Sequence, residues 1–85
     1  MMYIVQWKSK DPIATAKKYV EKGHGIMAGV KVLQDLHVVG SPSGFLLVET
    51  DQPELLHKAA AAWGEPTMEC SVIPVISGEQ AKAAL

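Results

Sequence analysis

The chain alternates short apolar stretches with Pro and Gly punctuation, and each stretch carries the period of one kind of element. Residues 2–8 hold Tyr3, Ile4, Val5 and Trp7, an aromatic and β-branched run without helical spacing that predicts a first strand. Asp11-Pro12 then offers an N-cap and a first-turn proline. Ile13, Ala16, Tyr19 and Val20 recur at helical spacing up to Gly23, so a helix is expected there. Its other side, with Lys17, Lys18, Glu21 and Lys22, reads as a solvated face rather than a binding patch. After a loop from Gly23 to Gly29, residues 30–39 are rich in β-branched side chains and stop at Gly40, which predicts strand two. Gly40-Ser41-Pro42-Ser43-Gly44 reads as a five-residue hairpin turn into strand three at 45–50. Asp51-Gln52-Pro53-Glu54 starts a second helix, with Glu54 placed third as in a capping box. Leu55, Leu56, Ala59, Ala60 and Trp63 form its apolar stripe, and Gly64-Glu65-Pro66 ends it. Residues 67–76 predict strand four, where the missing N–H of Pro74 confines it to an edge or an unpaired position. Ser77-Gly78-Glu79-Gln80 opens a short tail helix that ends at Leu85.

The order strand, helix, strand, strand, helix, strand is the ferredoxin-like βαββαβ unit, an α+β fold. Right-handed crossovers put both helices on one face of a four-stranded antiparallel sheet with strands one and three in the centre. The opposite face is left bare.

A five-residue turn sets Val39 opposite Phe45, and that register pairs His37 with Leu47 and Asp35 with Glu49. Side-chain alternation then assigns Val30, Val32, Gln34, Leu36, Val38, Leu46 and Val48 to the helix-covered face. Leu33, Asp35, His37, Val39, Phe45, Leu47 and Glu49 fall on the bare one. On strand four, Met68, Cys70 and Val72 point to the core, while Glu69, Ser71, Ile73 and Val75 join the bare face; Gln6 of strand one fits there as well. Such a face is too apolar for water and too charged for a dry core, so a second subunit is expected to cover it. Two sheets packed in this way enclose an apolar space with a few convergent polar groups, the usual form of a small-molecule site.

Composition narrows the picture. Eighty-five residues with 48% hydrophobic and 20% charged side chains and a net charge of −1 make a single domain over 1–85. At roughly 1.5 kcal/mol of conformational entropy per ordered residue, a core of this size barely offsets the cost of folding, and self-association is the simplest remedy. With 8 basic and 9 acidic residues spread along the chain, there is no cationic stripe for nucleic acid or an anionic membrane surface. No apolar run approaches the ~20 residues of a spanning helix, and the first residues carry no secretory pattern, so a cytoplasmic protein is expected. One cysteine, Cys70, forms no internal disulfide.

The strings Tyr3-Ile4-Val5-Gln6-Trp7, Gly29-Val30-Lys31-Val32-Leu33 leading to His37, and Gly40 followed by Gly44-Phe45-Leu46-Leu47-Val48-Glu49, then Trp63 and Glu69-Cys70-Ser71-Val72-Ile73-Pro74-Val75, carry a resemblance. Together they resemble a small bacterial and archaeal family of unknown function in the dimeric α+β barrel, ferredoxin-like group. Leu36 stands where that pattern has an aromatic, and Ile26-Met27 where it is proline-rich. The resemblance implies a homodimer with one cavity per subunit and no assigned activity. The wider group includes cofactor-free monooxygenases, haem-degrading enzymes, muconolactone-type isomerases and stress-induced dehydratase-like proteins, and fold alone does not select among them.

His37 with Asp35 and Glu49 is the candidate catalytic set, the imidazole acting as a general base whose charged form a carboxylate stabilises. Asp35 facing Glu49 would share a proton as an acid/base dyad or hold a cation between them, or the register differs and one carboxylate reaches solvent or a lysine of a second chain. Gln6, Phe45, Leu47, Glu69 and Ser71 are the candidate ligand contacts. No metal motif and no cofactor fingerprint is present, so neither is expected. Trp7, Trp63, His24 and His57 are read as packing or surface residues, and Cys70 as a core filler. The leading expectation is a homodimer that binds a small, partly apolar molecule. The alternatives are a cofactor-independent monooxygenase or isomerase with His37 as base, and a structural or regulatory dimer without a ligand.

Overall fold

The computed structural model describes residues 1–22, 29–63 and 68–85. The loop 23–28 with Gly23, His24 and Ile26-Met27, the helix-ending 64–66 and Thr67 lie outside the described residues, as do the side chains of Lys18, Tyr19, Lys22 and Trp63. The elements follow in the order β1 (Met2–Ser9), α1 (Pro12–Lys22), β2 (Lys31–His37), β3 (Ser43–Glu49), α2 (Pro53–Trp63), β4 (Met68–Val75) and α3 (Gly78–Ala83). The four strands form one antiparallel sheet in the order β2-β3-β1-β4, an α+β arrangement consistent with a ferredoxin-like unit. Pro74 lies on the edge strand β4, where a missing N–H interrupts no inner ladder.

Local chemistry starts each helix. The Ala14 N–H donates to Asp11 Oδ1 at 3.1 Å ahead of α1, and Pro12 fills the first turn. Glu54 is second in α2, not third. The bend into α2 is closed instead by the buried Thr50, whose hydroxyl accepts from the Gln52 N–H at 3.0 Å. Ser77 and Gln80 form a complete capping box on α3.

One sheet face carries the core. Tyr3, Leu46 and Val48 pack with Leu56 of α2, and Val5 and Val30 flank them. Leu46 and Val48 are helix-covered, as their alternation with Phe45 and Leu47 predicts. The α2 stripe is equally clear: Leu56 and Ala59 are buried, and Leu55 and Ala60 half buried. The expected α1 stripe is different. Ile13 is 73% and Val20 85% exposed, while Ala14 and Thr15 are half buried. The Thr15 hydroxyl meets that of Ser9 at 2.7 Å, so the Ala14–Thr15 side of the first turn, and not the apolar stripe, faces the sheet.

The hairpin corrects the expected register. The Val38 N–H donates to the Ser43 carbonyl at 3.0 Å, so the loop is residues 39–42, with Gly40 at a φ of +79° that favours glycine. Asp35 therefore pairs with Leu46, Leu36 with Phe45 and His37 with Gly44, while Glu49 pairs with Lys31. Asp35 and Glu49 do not face each other. A bulge between Val32 and Gln34 adds one residue to β2, and one extra residue turns every later side chain to the other face. Asp35 and His37 thus lie on the helix side, with Gln34 and Leu36 on the open side.

Candidate functional site

The open face is built by alternation from three inner pairings. Gln6 is the register partner of both Phe45 and Ser71, and Lys8 of both Ser43 and Glu69. These six side-chain positions and Trp7 line a shallow depression of about 240 Å³. Of the expected ligand contacts, Gln6, Phe45, Glu69 and Ser71 are brought together here. Leu47 lies one step along, paired with Ile4. Lys8 and Ser43 went unnoticed in the sequence, although once Gln6 is placed on the open face a period of two carries Lys8 there as well.

The chemistry of the depression is mixed. Phe45, 39% exposed, offers an aromatic surface, and the Gln6 amide and the Ser43 and Ser71 hydroxyls supply both donors and acceptors. At the rim the Lys10 ammonium lies 3.8 Å from the Glu69 carboxylate, both accessible to solvent, a pair that orders the rim more than it stabilises the fold.

The expected catalytic set is divided between the two faces. His37 Nε2 lies 3.1 Å from Asp35 Oδ1, and its ring meets Trp7 edge-on, 5.4 Å between centroids and 74° between planes. This pair sits on the helix side of the edge strand, with the imidazole 62% exposed. Glu49, paired with Lys31 and Met2, lies on the open side. The structure brings Asp35 and His37 together and leaves Glu49 apart from both. Among the described residues, no group of three or more His, Cys, Asp or Glu side chains is placed to hold a metal ion.

Cys70 is the register partner of Trp7 and half buried, and desolvation pushes its thiol pKa up. The folded chain therefore holds this proton more tightly than the unfolded chain does. Stability that depends on the neutral thiol is complete below the ordinary thiol range near about pH 8.5 and is lost as pH rises beyond it. Iodoacetamide at pH 8 is expected to alkylate Cys70 several-fold more slowly in the folded chain than in urea. Equal rates would mean that the thiol is not desolvated.

The fold and this face define a small α+β domain with one antiparallel sheet and a half-covered apolar surface. The chain belongs to the family described as Domain of unknown function (DUF3303), whose pattern matches residues 1–85. Searches of curated proteins and of solved structures give no match. Among the described residues, no helix is long and apolar enough to cross a membrane.

Proposed function

We propose that the chain is a homodimer closed through its open sheet face, and that it binds a small, partly apolar molecule in the depression around Gln6 and Phe45. The observation that carries this reading is the composition of that face. Leu36, Phe45 and Ile73 are exposed and Ile4, Leu47 and Val75 half buried, a contiguous apolar surface of the kind that marks an interaction site.

The polar groups favour one class of ligand. A ring or short chain lies against Phe45, and one end carrying a hydroxyl, amide or charged group meets Gln6, Ser71 and the Lys8–Glu69 rim. The test is a titration of labelled protein with a mixture of small aromatic and aliphatic carboxylates, alcohols and amines, followed by amide NMR. The expected result is a joint shift of the Gln6 side-chain amide and the Ser43, Phe45 and Ser71 backbone amides. Shifts confined to the Trp7, Asp35 and His37 side, or none, would overturn the assignment of the site.

A further inference from the structure

The charges of the open face occupy two diagonally opposite corners. Glu69 and Lys8 are partners at one end of β4 and β1, and Lys31 and Glu49 are partners at the other end of β2 and β3. Between the outer backbone positions the face measures about 14 by 20 Å, from a strand spacing near 4.8 Å and a two-residue repeat near 6.8 Å. Two copies packed symmetrically by this face need a two-fold axis lying in the plane of contact, which can run along the strands, across them or at about 45° to them toward either pair of corners.

An axis along the strands sets Lys31 over Val75 and Glu49 over Met2. An axis across them sets Glu69 over Val75 and Lys8 over Met2. The diagonal through the charged corners stacks Glu69 on its own twin and Lys31 on its own twin. Each of these three buries charge against an apolar side chain or against like charge, which is costly. The remaining diagonal passes close to Ile4 and Phe45, so each meets its own copy, and it lays Glu69 over Lys31 of the partner subunit twice by symmetry.

We infer that the chain dimerises about this last axis. The strands of the two sheets then cross near a right angle, one of the two packing classes that twisted sheets adopt. Sheets about 10 Å apart are spanned by a lysine and a glutamate reaching toward each other. Glu69 keeps Lys10 at 3.8 Å and gains the partner's Lys31, which makes a small ionic network of the corner. Gln34, which the β2 bulge turns to the open side, comes over the depression of the other copy, so each site is roofed by the partner's Gln34.

This geometry rests on the dimer reading above, and one set of measurements separates the two. Sedimentation equilibrium is run on the unaltered chain, on Lys31→Glu, on Glu69→Lys and on the double variant, with circular dichroism to confirm folding. The expected result is a dimer that each single reversal weakens about tenfold or more and that the double variant restores to within a few-fold. Local crowding of Glu69→Lys against Lys8 and Lys10 is not relieved by changing Lys31 on the same chain, so restoration reports a contact between copies. A dimer indifferent to the single changes, or one the double variant fails to restore, overturns the axis and leaves the dimer standing. A folded monomer overturns both.

Discussion

Leu56→Ala is expected to remove most of the stability of the folded chain. Leu56 is the side chain by which α2 enters the core, 2% exposed against Tyr3, Leu46 and Val48. Deleting three buried carbons costs the transfer energy of those carbons and leaves a cavity that rigid strands on one side cannot fill, together about 2–5 kcal/mol. Few side chains among the described residues are fully buried, and such a domain starts from the low end of the usual 5–15 kcal/mol. The urea midpoint of the variant is expected to fall by about 2 M or more, for a slope near 1 kcal/mol per M. Leu56→Met, which keeps the volume, should stay within about 1.5 kcal/mol of the unaltered chain. A Leu56→Ala midpoint that matched it would mean that α2 does not anchor the core.

How much of this was legible in the sequence depends on how each element encodes its face. β3 was readable because Leu46 and Val48 alternate with Phe45 and Leu47, and a period of two leaves one choice of inner face. α2 was readable because Leu56 and Ala59 fall at helical spacing between a first-turn proline and an aromatic end. β2 was not. Its apolar residues Val32, Leu33 and Leu36 fit either face, and the bulge beside Leu33 leaves no mark in residue type. The face of Asp35 and His37 is set from the other end, by a loop of residues 39–42 that pairs Val38 with Ser43 where a five-residue turn is expected, and the expected meeting with Glu49 goes with it. The depression was legible in four of its residues because Gln6, Phe45, Glu69 and Ser71 lie on strands without a bulge. α1 misled for another reason: the side it turns to the sheet carries Ala14 and the Thr15 hydroxyl that meets Ser9, which no apolar pattern announces.

Gly44→Ala is expected to disrupt the centre of the sheet far more than the loss of one hydrogen atom suggests. Gly44 is buried in β3 and is the register partner of Trp7 on one side and His37 on the other. A Cβ built there meets the Leu36 carbonyl oxygen at 2.5 Å and the Trp7 Cζ2 and Cε2 atoms at 2.7 and 2.9 Å. The indole comes this close to the glycine because no side chain projects from it. With alanine the ring must lift, which breaks its edge contact with His37, and the β2 carbonyl must shift within its ladder. Overpacking of this kind costs about 1–3 kcal/mol, and a backbone oxygen yields less readily than a side chain. For a chain of this size each kcal/mol is about 4–8 °C in Tm, so a fall of about 10 °C or more is expected, with an altered Trp7 indole signal. Adding Trp7→Leu removes the ring but not the Leu36 oxygen, and should recover part of the loss. Full recovery would place the whole conflict with the indole, and no loss in the single variant would show that Trp7 does not lie over Gly44.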